Sequence, residues 1–165
     1  MSAPSFDPAG ILRALNDREV DYLLIGGLAV IAHGHLRATA DVDIIPRPEP
    51  ANLERLAAAL EDLHAELAGI DAHLLGIALD AATLGEGANF TLTTAHGDLD
   101  VMQEVPGMSA YGPLAAGSVS TELDHVPVRV LALNDLIELK LAADRPLDRA
   151  DAAALSEIAR LDEPA

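Results

Sequence analysis

The sequence predicts one α+β domain, a mixed α/β arrangement in which a mixed sheet is flanked by helices and closed by two C-terminal helices. Three observations carry this expectation. Short apolar runs ending in glycine or proline alternate with stretches of helical periodicity. Two strand-like runs flank Ala95-His96-Gly97, as in an antiparallel hairpin. The 165 residues are half apolar and contain no internal repeat, long linker or low-complexity tract, so a single domain over 1–165 is expected.

The elements follow in chain order. Asp7-Pro8 reads as an N-cap followed by Pro at the first helical position, and Ile11, Leu12 and Leu15 then fall on one helix face. Tyr22-Leu23-Leu24-Ile25 is a short apolar strand stopped by Gly26-Gly27. Helical character runs from Gly27 to His33 and ends at Gly34. Asp41-Val42-Asp43-Ile44-Ile45 alternates polar and apolar before Pro46, the pattern of a two-faced strand. A helix is predicted from Pro50 to Leu63, with Leu53, Leu56, Ala57 and Leu60 on its buried face. From Ala65 to Gly87 periodicity is weak, and loop with one short helix is expected. Strands are predicted at Asn89–Thr94 and Asp98–Met102, with further strands at Ser118–Thr121 and Val126–Leu131. Two helices, Asn134–Ala143 and Leu147–Leu161, close the chain across Arg145-Pro146.

Composition excludes several functions. Lys and Arg total 10 against 27 Asp and Glu, a formal charge of −17 that repels phosphate backbones and anionic membranes. Extended nucleic-acid binding is therefore not expected, although one local basic pocket is still compatible. The chain has no cysteine, which removes disulfides, thiolate nucleophiles and Cys-ligated zinc. Its only aromatics are Phe6, Tyr22, Phe90 and Tyr111, too few for a base-stacking platform. No leader or membrane-spanning run is visible, so a soluble cytoplasmic protein is expected. Nine of the ten basic residues are arginine, and Lys140 is the one lysine. The six histidines, His33, His35, His64, His73, His96 and His125, show no metal-ligand spacing.

The chemistry concentrates around Gly26-Gly27, Arg37, Thr39, Asp41 and Asp43. A Gly-Gly pair where a strand turns into a helix lets backbone N–H groups approach an anion closely. Asp41 and Asp43 project to one face of a strand, where like charges are costly unless a cation lies between them. Hard oxygen ligands of this kind suit Mg²⁺. A third acid is expected on a neighbouring strand, with Asp98 and Asp100 both eligible; three carboxylates around two metal ions suit in-line phosphoryl chemistry.

This ordered set resembles the nucleotidyltransferase superfamily that shares its core with DNA polymerase β. Thirteen residues, Leu28 to Ala40, separate Gly27 from Asp41, within the range of that signature. The run Ile25-Gly26-Gly27-Leu28-Ala29-Val30, with Gly34, Arg37, Thr39, Asp41 and Asp43, looks like a narrower branch that includes nucleotidyltransferase toxins of abortive-infection (type IV) toxin–antitoxin systems. Gly97-x-Leu99-Asp100 matches the third-carboxylate strand, which favours Asp100 over Asp98. Lys140, Arg145, Pro146, Asp148 and Asp151 match a tail typical of the family.

The resemblance implies a polymerase β-type core and transfer of a nucleoside monophosphate from an NTP to an acceptor hydroxyl, with release of pyrophosphate. Asp41, Asp43 and Asp100 would be catalytic and would hold two Mg²⁺ ions. Gly26, Gly27, Arg37, Thr39 and Lys140 would bind the nucleotide. The acceptor could be a tRNA end, a protein or a small molecule, and an antitoxin or other partner protein is possible; no membrane partner is expected. The alternative is a binding module that keeps the fold without turnover.

For several of these residues a plainer role stands beside the functional one. Arg37 suits either a triphosphate or an aspartate. Thr39 suits a local hydrogen bond. On a helical wheel Lys140 lies near the centre of a face formed by Leu133, Leu136, Ile137, Leu141 and Ala143, where an ammonium needs an acid or a phosphate. Asp151 similarly falls among Leu147, Leu155 and Ile158, with Asp148 at the edge. Pairing of Lys140 or Arg145 with Asp148 or Asp151 would satisfy both helices.

Overall fold

A computed structural model of the chain describes residues 4–69 and 72–164, leaving aside the side chains of Ala72 and His73. Ile70 and Asp71, within the expected loop, and the His73 side chain therefore lie outside the described residues. Helix α1 (Pro8–Asp17) begins as the sequence dictates: the Asp7 side chain accepts a hydrogen bond from the Gly10 N–H, and Pro8 occupies the first turn. Ile11, Leu12 and Leu15 are fully buried. Each such side chain contributes about 1.5–3 kcal/mol on removal from water.

The remaining elements are β1 (Tyr22–Ile25), α2 (Gly26–Ala32), β2 (Asp41–Pro46), α3 (Pro50–Asp62), β3 (Glu66–Leu67), α4 (Ala72–Leu75), α5 (Ala81–Leu84), β4 (Phe90–Thr94), β5 (Gly97–Val101), α6 (Tyr111–Gly117), β6 (Val119–Leu123), β7 (Val126–Val130), α7 (Leu133–Ala143) and α8 (Pro146–Asp162). The strands form one mixed sheet in the order β3-β4-β5-β2-β1-β7-β6. β2 sits at its centre, antiparallel to β1 and parallel to β5. The predicted 89–102 hairpin is present as β4 and β5. In β2 and β5, Val42, Ile44, Leu99 and Val101 are fully buried, while the intervening Asp41, Asp43 and Asp100 are only partly covered. That alternation turns the aspartates toward the face opposite the core.

The observed elements depart from the sequence reading in four places. The 65–87 stretch contributes an edge strand, β3, paired with β4, and two short helices, α4 and α5. Helix α6 was not expected. Neither β3 nor α6 is long enough to show a period, and β3 is fixed by its non-local partner. Leu141, predicted on the buried face of α7, is 58% exposed, and Leu147, placed around Asp151, is 56% exposed. The inner face of α7 is rotated toward Leu136, Leu139 and Lys140, because it is ion pairing with α8 that sets the face.

A fully buried asparagine ties the far end of the central strands. Asn52 accepts a hydrogen bond from the Asp21 N–H and donates to the Asp21 and Arg47 carbonyls at 2.7–2.9 Å. It closes β1 and β2 away from the cleft described next. No helix among the described residues is long and apolar enough to cross a membrane.

Candidate active site

β2 and β5 run parallel with Asp43 opposite Asp100 and Asp41 opposite Asp98. This register brings Asp41, Asp43 and Asp100 together: one carboxylate oxygen from each lies within 4.8 Å of the others. Asp98 is exposed and falls outside the trio, adding only its charge beside Asp41. Burial, with the Asp41 and Asp100 carboxylates next, pushes Asp43 up to about 8. Burial and the Asp100 and Asp98 charges also raise Asp41. Asp100 Oδ1 is buried without a hydrogen-bond partner among the described residues. Three crowded carboxylates whose mutual repulsion the nearby Arg37 and Lys140 do not offset, with one orphaned oxygen, form an all-oxygen donor set that fits a hard divalent cation.

The glycine pair approaches this cluster as closely as backbone permits. Gly26 has φ +69°, and a Cβ there would overlap the Asp43 carboxylate; a Cβ on Gly27 would lie 2.6 Å from Thr39 Oγ1. Both positions therefore require glycine, the first on backbone conformation and space, the second on space alone. Gly26→Ala is expected to cost about 1–3 kcal/mol of stability and to displace Asp43, which denaturation and turnover assays would register together. Wild-type stability and rate would contradict it. Thr39 Oγ1 makes only a long local contact to the Asp41 carbonyl, 3.5 Å.

Helix α8 organises the cations. The Arg37 side chain forms a two-pronged pair with Asp151, Nε to Oδ1 at 2.8 Å and Nη2 to Oδ2 at 2.9 Å. Lys140 Nζ lies 2.9 Å from Asp151 and 3.2 Å from Asp148, and Arg145 Nε lies 2.7 Å from Asp148. Burial opposes ionisation of both acids, but hydrogen bonds from Arg145 and Lys140 to Asp148, and from Arg37 and Lys140 to Asp151, outweigh it and hold both below the usual carboxylate range. The pairing of Lys140 and Arg145 with α8 was thus legible in the sequence, and of the two readings of Arg37, the aspartate pair is the one observed. His96 pairs with Asp7, away from the triad.

Gly26, Gly27, Arg37, Thr39, the three aspartates of the trio, Lys140, Arg145 and Asp148 line one cleft of about 880 Å³. The segment after β5, with Met102, Glu104, Val105 and Pro106, lines it too, as does Asn89. Sequence reading missed this wall, because the segment has no periodicity and its hydrogen bonds to Asn89 and α5 are non-local.

Residues 9–164 match the model of a family described as nucleotidyltransferase of unknown function (DUF6036). The chain belongs to this nucleotidyltransferase family. No curated protein matches it. Among solved structures, this nucleotidyltransferase is similar to ANT(2")-Ia in complex with adenylyl-2"-tobramycin, with TM-score 0.57, 19% identity, and coverage of 90% of this chain and 84% of that one. It is similar to the lincosamide antibiotic adenylyltransferase LnuA in its lincomycin-bound form, with TM-score 0.61, 16% identity, and coverage of 93% and 98%. An antigenic nucleotidyltransferase-like protein from Paracoccidioides brasiliensis aligns with TM-score 0.56, 14% identity, and coverage of 99% and 81%. At these identities the likeness establishes the nucleotidyltransferase fold.

Proposed function

We propose that this nucleotidyltransferase moves a nucleoside monophosphate from an Mg²⁺-bound NTP to a hydroxyl of a small molecule. The observation that carries the reading is the Asp41–Asp43–Asp100 cluster packed beside the Gly26-Gly27 turn on the lining of one cleft. Asp41 and Asp43 would hold Mg²⁺, and Asp100 would complete a second metal site. The bound ions would supply charge neutralisation for the triphosphate and the departing pyrophosphate. Gly26 and Gly27 admit the triphosphate against the backbone, with Arg37, Thr39 and Lys140 on the surrounding wall. The acceptor oxygen bonds to the α-phosphorus while the bond from that phosphorus to the bridging oxygen breaks. Pyrophosphate leaves with that electron pair, and the hydroxyl proton passes to Asp100.

A small acceptor is favoured over RNA by the state of the cations. Arg37, Lys140 and Arg145 line the cleft but are engaged by Asp148 and Asp151, and Arg149 pairs with Asp144. An RNA backbone would have to compete with those carboxylates on a surface of charge −17. The solved structures with tobramycin and lincomycin products or ligands support the same choice by fold likeness. The narrower likeness of Ile25–Val30 to abortive-infection toxins supports a second reading, in which a partner protein restrains the enzyme in the cytoplasm. The test of the transfer reaction is incubation with each α-labelled NTP, Mg²⁺ and cell extract. Label in the small-molecule fraction with stoichiometric pyrophosphate is expected, and label confined to RNA or protein would overturn the acceptor assignment.

A further inference from the structure

We infer that Glu104 selects the acceptor, and that the acceptor is a small hydroxyl compound carrying a protonated amine on a largely apolar body. This rests on the transfer reaction proposed above and names its second substrate. The argument begins with the charges that line the cleft. Arg37, Lys140, Arg145 and Asp148 are engaged in ion pairs with or within α8, and Asp41, Asp43 and Asp100 form the metal-fitting trio. Glu104 is the remaining charged side chain on the lining, and among the described residues it has no ion pair or side-chain hydrogen bond. The single charge left uncommitted is therefore negative.

Glu104 is also presented on a fixed backbone. Asn89 Oδ1 accepts from the N–H groups of Gln103 and Glu104 at 2.7 and 2.8 Å, and Asn89 Nδ2 donates to the Glu104 carbonyl at 2.7 Å. Gln103 Nε2 donates to the Leu84 and Ala88 carbonyls. Three residues further on, Gly107, at φ +79°, is seated so close to α7 that a Cβ would lie 2.8 Å from the Ala142 Cβ. The segment is thus fastened on both sides of Glu104, which fixes the backbone from which its exposed side chain projects at the cleft. The surrounding wall is apolar: Met102, Val105, Pro106 and Leu139 line the same cleft. A charge-assisted hydrogen bond from an ammonium to Glu104, with apolar contact beside it, is the complementary ligand chemistry. The amine takes no part in the transfer; the hydroxyl oxygen alone bonds to phosphorus.

The experiment uses the small-molecule fraction of a cell extract, either untreated or with its amines acylated by succinimidyl acetate, together with α-labelled NTP and Mg²⁺. Acylation is expected to reduce label transfer at least tenfold. With acceptor purified from the untreated arm, Glu104→Gln is expected to raise the acceptor KM by about tenfold or more, and Glu104→Lys further. Calorimetric Mg-NTP binding should match the wild type in both variants, which separates loss of acceptor recognition from misfolding. Transfer indifferent to acylation, or an acceptor KM within twofold in Glu104→Gln, overturns the inference while leaving the transfer reaction standing. Absence of Mg-NTP binding by the wild type, or of transfer to any fraction, overturns the reaction itself and this inference with it.

Discussion

Asp43→Asn is expected to lower Mg²⁺-dependent NTP consumption by about 10³-fold or more, equivalent to roughly 4 kcal/mol of transition-state stabilisation, without unfolding the chain. Asp41→Asn should behave in the same way. Both halves follow from the crowding at the centre of the sheet. The Asp41, Asp43 and Asp100 oxygens lie within 4.8 Å of one another, and Asp100 Oδ1 is buried without a partner among the described residues. An amide keeps the shape and one oxygen but removes the charge that draws a divalent ion. The same removal relieves repulsion within the trio, so the melting temperature of either variant without metal should equal or exceed that of the wild type. Added Mg²⁺ should raise the wild-type melting temperature by linkage and leave the variants nearly unmoved. Pyrophosphate release and thermal melts on the same samples check the pair of statements. Turnover within tenfold of wild type would remove these carboxylates from the chemistry, and a variant melting well below the wild type would recast them as structural.

What the sequence made legible follows from the range of the interactions involved. Strands β1 and β2 and helices α1 and α3 are written in contiguous residues, through Asp7-Pro8, the Gly26-Gly27 stop, the alternation at Asp41–Ile45 and the apolar stripe of α3. The local density of acids on β2 and β5 exposed the triad and the Gly97-x-Leu99-Asp100 pattern favoured Asp100 over Asp98, while the parallel register of those strands is what sets Asp100 opposite Asp43. Lys140 and Asp151 drew attention because each is a charge inside an apolar helical pattern. Their partners could be narrowed to a few residues, whereas the link from Asp151 to Arg37 spans 114 positions and has no local signature. The Glu104 wall was invisible for the same reason: Asn89 and Gln103 organise it through backbone groups that any residue would offer. Leu141 and Leu147 show the converse error, in which apolar identity suggests burial but the buried ion pairs set the helix face instead.

The second large effect concerns that ion-pair centre, and its size depends on which partner is removed. Asp151 is fully buried and neutralises two cations at once, Arg37 through both carboxylate oxygens and Lys140 at 2.9 Å. In Asp151→Ala, Arg37 loses its carboxylate, Lys140 keeps only the 3.2 Å contact to Asp148, and the α2–β2 connection is no longer held to α8. A loss of about 3–5 kcal/mol is expected, the range for stranding a buried charge. Lys140→Met should cost far less, about 1–2 kcal/mol, because Asp151 keeps Arg37 and Asp148 keeps Arg145 at 2.7 Å. The acid side supplies an independent check. Asp148 and Asp151 are held below their ordinary value when folded, so their contribution is fully present above about pH 4 and is lost as pH falls through the lowered folded values. Asp151→Ala should accordingly flatten the acid limb of the stability curve as well as lower its plateau. Urea denaturation of the wild type and the two variants from pH 3 to pH 7 reads both effects. Equal losses for Asp151→Ala and Lys140→Met would mean that Arg37 is adequately solvated without its partner, and that α8 is held to the cleft by its apolar contacts alone.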